Sequence, residues 1–219
     1  MRRVLLSTRA GRLSLWWGGA ALALLIFVRI TREFIEGDVS ALDSAIHLAV
    51  VRSRTPWLTI VAADVTALGS ITLVVLLSVF TLVVLLVLRD RRIALELLAA
   101  LAGAGILTLL TKNFIERIRP DEAQQLIVVS GFSYPSGHSV STAAVYLTIA
   151  IIACRYAKHS GLKTAIFLAA TTVILMVGAS RVYLGVHYAT DVVSGISLGV
   201  AWSLLLTGIF TLVGHHASS

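Results

Sequence analysis

The chain has 219 residues, of which 58% are hydrophobic and only 13% charged. A soluble domain carries about a quarter charged residues and breaks its apolar runs into stripes, so this composition excludes an ordinary water-soluble domain. The net charge of +7 falls in small clusters between apolar runs, and no polar segment is long enough to form a nucleic-acid-binding module.

Crossing about 30 Å of hydrocarbon takes roughly 20 helical residues. Arg2, Arg3, Arg9 and Arg12 precede a first apolar stretch, and no small-residue cleavage site stands before the charged run Arg29 to Glu36. The expectation is an uncleaved span over 13–30. The segment 40–54 carries Leu42, Ile46, Ala49 and Val50 at helical spacing among polar residues, which predicts a short helix on the membrane surface, a lid or packing element. Further spans are expected over 67–88, 93–112, 139–157, 164–182 and 190–213. The predicted fold class is an all-α integral membrane protein, one domain over 1–219, built as a six-transmembrane-helix bundle with both termini on one side. Ala99, Gly103 and Gly105 give the third span a small-residue face, and Ser194, Gly195, Ser197 and Gly199 do the same for the last, which predicts close packing. The lone Cys154 reads as a small buried residue with no disulfide partner in the chain.

Orientation follows from charge. The side holding the termini and the 89–92 and 155–163 turns carries ten Lys and Arg against Asp90 and Glu96, and the other side carries eight. The bias sharpens once Lys112, Arg119 and Arg181 are set aside as ligands, which predicts cytoplasmic termini and a multi-pass protein of the cell membrane. Pro56, Pro120 and Pro135 all fall on the opposite side, where irregular backbone is tolerated, so that outward side is expected to hold the built site.

Three blocks of reactive residues stand at the predicted outer ends of the helices. In the first, Lys112 ends the third span and Arg119 follows, two cations able to neutralise a phosphate, though such residues also serve as simple interfacial anchors. In the second, Pro135, Ser136, Gly137 and His138 open an apolar helix. Ser136 is placed to cap it, Gly137 to let backbone amides approach an anion, and His138 to exchange a proton with a bound ester. In the third, which also holds Ser180 and Arg181, His187 and Asp191 are spaced i, i+4 and are expected on one helical face. There the carboxylate holds one ring N–H and leaves the other nitrogen free to attack.

The pattern K-x6-R-P, P-S-G-H and S-R-x5-H-x3-D resembles the tripartite signature of the type 2 phosphatidic acid phosphatase superfamily, lipid phosphate phosphatases related to vanadium haloperoxidases. The resemblance covers roughly residues 93–213, while the first 90 residues match only in being two spans and an outer segment. It implies that His187 is the nucleophile, oriented by Asp191. His138 is the implied acid and later base, and Lys112, Arg119, Ser136, Gly137 and Arg181 hold the phosphate. Ser180 is implied as a support for its neighbouring arginine. No metal and no cofactor are expected, because the cations are side chains, and Glu116, Asp121 and Glu122 read as solvated surface.

The implied substrate partners are lipid phosphates within a membrane: phosphatidylglycerol phosphate, phosphatidic acid or undecaprenyl diphosphate, with no nucleic acid and no obligate protein partner. A phosphotransferase using the same intermediate is the nearest alternative. A transporter is disfavoured because charges cluster at one interface and no midspan helix break is evident. His47, His159, His215 and His216 lack reactive neighbours and read as surface or interfacial.

Overall fold

The computed structural model describes residues 9–213. Arg2, Arg3, His215 and His216 lie outside the described residues. The regular structure among the described residues is all helical: α1 (Arg9–Glu36), α2 (Ser40–Arg52), α3 (Pro56–Ala67), α4 (Ile71–Val87), α5 (Arg91–Ile115), α6 (Gly137–Tyr156), α7 (Ser160–Tyr183) and α8 (Ala189–Val213), with a 3-10 turn at Glu122–Gln124 inside the otherwise irregular segment 116–136. Five helices are long and apolar enough to cross a membrane, six when α3 and α4 are counted as one bent span. This is a multi-pass membrane protein, and the outward faces say so directly. Phe80 is 67% exposed and Val87 77% exposed, surface that only hydrocarbon solvates without penalty.

The bent pair corrects two expectations. The helix expected over 67–88 begins at Ile71, and a break bent by 44° separates it from α3, which starts at Pro56. Asp64 within α3 stands exposed on the helix surface. Gly69 lies at the break because a side chain there has no room: a Cβ would come within 2.5 Å of Val177 and 3.0 Å of the His138 ring. Ser70 then caps α4, accepting a bond from the Leu73 amide at 3.2 Å.

The most buried span is α6, which packs against α5, α7 and α8. Its seam with α8 is set by glycine. A Cβ on Gly199 would sit 2.5 Å from the Val140 carbonyl, and one on Gly195 2.8 Å from that of Ser136. On α5 the expected face is half right: Gly103 accommodates the Trp202 indole, whose Nε1 donates to the Ala99 carbonyl at 3.1 Å, whereas Gly105 has nothing beside it.

At one end of the bundle a wholly buried Glu96 on α5 accepts a bidentate pair from Arg155 on α6, at 2.7 and 2.8 Å, and a third bond from Thr207 on α8 at 3.0 Å. Cys154, close by, is only half-buried, contrary to expectation, because α6 ends two residues later. A further correction concerns α2. The helix forms where expected, but Leu42, Leu48 and Ala49 face outward, while Asp43 and His47 are turned into the protein. His47 is therefore not a surface residue; its Nε2 bonds Gln124 Oε1 at 2.6 Å. Polar side chains turned into protein need partners there, and both Asp43 and His47 find them.

Candidate active site

At the end of the bundle opposite Glu96, the C-terminal ends of α5 and α7, the N-terminal ends of α6 and α8, and the 116–136 segment come together. The segment is held from below by Lys112, whose Nζ donates to the carbonyls of Phe132 and Ser133. Arg54 anchors it from the side, donating to the carbonyls of Gln124 at 2.8 Å and Tyr183 at 2.9 Å. Tyr134 stacks on Phe34 at 5.7 Å and shares hydrogen bonds with Thr31 and Ser194, which ties the segment to α1 and α8.

Arg119 reaches the third block directly. Its guanidinium donates to the carbonyls of Gly131, Ser130 and Val186, and its Nη1 lies 3.2 Å from His187 Nε2. The other ring nitrogen, Nδ1, faces Asp191 Oδ2 at 3.4 Å and Ser133 Oγ at 3.3 Å. With the ring proton on Nδ1, the Nε2 lone pair is left pointing at the guanidinium. Burial holds the His187 imidazole down to about 4, against the opposing pull of Asp191, and the nearby Arg119 and Arg181 charges push the same way as burial. The Arg119 guanidinium is also lowered by burial. The ring is thus a neutral base across the physiological range.

His187 is not on the same helix as Asp191, as the i, i+4 spacing suggests. Gly185, at φ +75°, turns the chain out of α7, His187 sits in the connection, and α8 begins at Ala189. Proximity survives because Asp191, in the first turn of α8, reaches back to the Tyr188 amide at 2.9 Å and closes that turn on itself.

His138 lies in the first turn of α6 against Gly69, within reach of the charges of Arg181 and Arg119 and of the His187 ring. Arg181 is 3% exposed, donates from Nη1 to Thr66 at 2.8 Å, and its buried Nε has no acceptor among the described residues. Lys112 feels the charges of Arg119, Asp191 and Arg181. Ser136 occupies the N-cap position of α6 but makes no side-chain cap, because its Oγ accepts from Ser139 Oγ at 3.0 Å. Gly137 adjoins Thr108 of α5, where a Cβ would stand at 3.3 Å. Ser180 does not support Arg181; its hydroxyl donates to the Val177 carbonyl at 2.7 Å within its own helix.

The sequence reading missed Arg117, Asp43, Thr190 and Ser133. Arg117 is 7% exposed and bridges Asp43 and Asp191 at 2.6 Å each, with Thr190 Oγ1 at 2.8 Å. Ser133 Oγ donates to Asp191 Oδ2. No spacing in the sequence marked Asp43 and Arg117 as partners; it is the burial of the Asp43 carboxylate that demands a cation. Among the described residues no group of three or more His, Cys, Asp and Glu side chains is arranged to hold a metal ion.

An all-helical bundle of apolar helices with two histidines, a buried carboxylate and several Lys and Arg side chains at one end defines a class of polytopic membrane protein. Comparison with known proteins identifies the class: residues 93–213 match the PAP2 superfamily model, and the chain belongs to that superfamily. It is 36% identical over 188 residues to phosphatidylglycerophosphatase B of Bacillus subtilis, an alignment covering 84% of this chain and 91% of that protein. It superposes with a TM-score of 0.79 and 34% identity on the crystal structure of a transmembrane PAP2 type phosphatidylglycerolphosphate phosphatase from Bacillus subtilis, covering 87% of this chain and 94% of the other. A lipid A 1-phosphatase of Rhizobium johnstonii is 32% identical over 120 residues, 51% of this chain and 45% of that protein.

Proposed function

We propose that this protein is an integral membrane lipid phosphate phosphatase that hydrolyses the phosphate of a membrane lipid through a phosphohistidine. The observation that carries the reading is the His187 ring, with Nε2 3.2 Å from Arg119 and Nδ1 turned to Asp191. Nε2 attacks phosphorus in line, the N–P bond forms as the bond from phosphorus to the lipid oxygen breaks, and His138 gives the departing oxygen its proton. Lys112, Arg119 and Arg181, with Ser136 and the Gly137 amide, take the phosphoryl oxygens; the unpartnered Nε of Arg181 is one donor free for that purpose. Water then attacks phosphorus, His138 takes its proton, and the N–P bond breaks to release inorganic phosphate and free His187.

The substrate favoured by likeness to the Bacillus phosphatase is phosphatidylglycerol phosphate, with phosphatidic acid and undecaprenyl diphosphate sharing the same phosphate on a long apolar anchor. An apolar cavity of about 410 Å³ between α1, α5 and α8, lined by Trp17, Leu24, Leu107, Leu198 and Trp202, offers room for such a chain. The excess of basic residues at the opposite end supports cytoplasmic termini, a site facing outward and residence in the cell membrane. Three cationic side chains supply the charge that a metal otherwise brings, so catalysis without a metal follows.

The test is phosphate release from a panel of purified lipid phosphates in detergent, with and without EDTA. Release from at least one lipid, undiminished by the chelator, is expected. No release from any, or EDTA inhibition reversed by magnesium, overturns the reading. Added acceptor lipid that takes up the phosphoryl group in place of water would identify a phosphotransferase instead.

A further inference from the structure

The buried group made by Asp43, Arg117 and Asp191 lies beside the reacting atoms without touching the phosphate site. Asp191 uses its two oxygens differently. Oδ1 takes Arg117 Nη1 at 2.6 Å, while Oδ2 takes the Ser133 hydroxyl and the Tyr188 amide and faces His187 Nδ1. The Arg117 guanidinium is wedged between two rings, 4.2 Å from the centroid of Tyr188 and 4.5 Å from that of Phe34, so it cannot swing aside. Its Nη2 donates to Asp43 Oδ2 at 2.6 Å. Asp43, 1% exposed on α2, also accepts from the Thr190 amide at 3.1 Å and from the Thr190 hydroxyl, and so closes the first turn of α8 next to Asp191.

The charge count gives this arrangement its meaning. Arg117 and Asp191 alone form a neutral pair, and a neutral pair does little to stabilise the positive charge that His187 gains when its Nε2 binds phosphorus. With Asp43 included, one guanidinium faces two carboxylates, and the group as a whole keeps one negative charge toward the ring. We infer that Arg117 and Asp43 are positioning residues for the reaction: Arg117 fixes the carboxylate of Asp191 on His187, and Asp43 preserves that carboxylate's net charge. The surface helix α2 is thereby part of the catalytic apparatus and not a cover for it. This inference rests on the function proposed above for His187.

The groups facing His187 are Asp191 from α8, Arg119 from the connecting segment, Arg181 from α7 and the His138 ring from α6. Arg117 and Asp43 act on it through Asp191. Two single variants should therefore move the titration of His187 in opposite directions. Asp43→Asn keeps shape and removes a negative charge, so protonation becomes harder and the midpoint falls by about half a unit. Arg117→Gln removes a positive charge and the midpoint rises by a similar amount. The double variant restores the balance and returns it toward the wild-type value.

The readout is NMR of the protein labelled with isotopic histidine in detergent micelles, together with the acid limb of kcat/KM. Asp43→Asn should also lower kcat about tenfold with KM little changed, and Arg117→Lys, which keeps the charge, should leave the midpoint in place. A merely structural role predicts less folded protein and an unmoved midpoint in every variant, and that result overturns the inference. The NMR arm needs no turnover, so a protein that releases no phosphate from any lipid yet shows opposed shifts would sink the proposed function while upholding the charge coupling.

Discussion

The two ends of the bundle each set an arginine against a buried carboxylate, and they use it differently. At one end Arg155 gives both arms of its fork to a single acid, Glu96, which Thr207 completes, and three helices are locked by a saturated pair. At the other end Arg117 is divided between Asp43 and Asp191, and Asp191 has one oxygen left over for the His187 ring. A closed pair holds helices together. A shared one leaves a directed charge, and only the second kind lies next to groups that can do chemistry.

Variants that separate these ends sharpen the contrast. The largest effect is expected at the ring: His187→Ala should lower phosphate release by at least about a thousandfold while the protein stays folded, measured by phosphate assay beside thermal melting in detergent. Arg119→Lys comes next. Lysine cannot hold the carbonyls of Ser130, Gly131 and Val186 and still face His187 Nε2, so turnover should fall about a hundredfold, read from kcat on a purified lipid phosphate. A smaller effect is set by pH. Because His187 is held down to about 4 by burial, it remains a free base until pH falls through that value. The acid limb of kcat/KM should therefore lie near 4 and not near 6.5, the ordinary histidine value; a limb at 6.5 would break this assignment.

The least effect on chemistry belongs to the far end. Glu96→Ala leaves Arg155 and Thr207 without their acceptor and should cost about 2 kcal/mol of stability, below the full value for a buried pair because Arg155 is partly exposed. Its kcat per folded molecule should stay within about twofold of wild type. A loss of kcat as large as that of Arg119→Lys would erase the distinction between the ends.

The spans were legible because hydrocarbon demands long apolar runs, and α5 to α8 lie within a few residues of where those runs place them. The break at Gly69 was not, since glycine and serine lower hydropathy too little to interrupt a run. The residues of the three signature blocks were readable from spacing within each block. The i, i+4 spacing even gave the right nearness of His187 and Asp191 for the wrong reason, a shared helix face in place of a turn closed by Asp191.

Arg117 and Asp43 could not be read, because they are 74 positions apart and each alone is an ordinary charged residue near a membrane boundary. Only packing of α2 with its polar side inward brings them together. Ser180 and Ser136 show the converse: their hydroxyls bond other groups than those the sequence reading gave them.

The central claim is that phosphorus passes through His187 on its way to water, and the stereochemical course at phosphorus tests it most directly. A lipid phosphate made chiral with sulfur and oxygen isotopes, hydrolysed in isotopically labelled water, should yield product with retained configuration, since two in-line displacements invert twice. Net inversion would mean that water attacks the lipid phosphate directly, and the phosphohistidine would have to be abandoned.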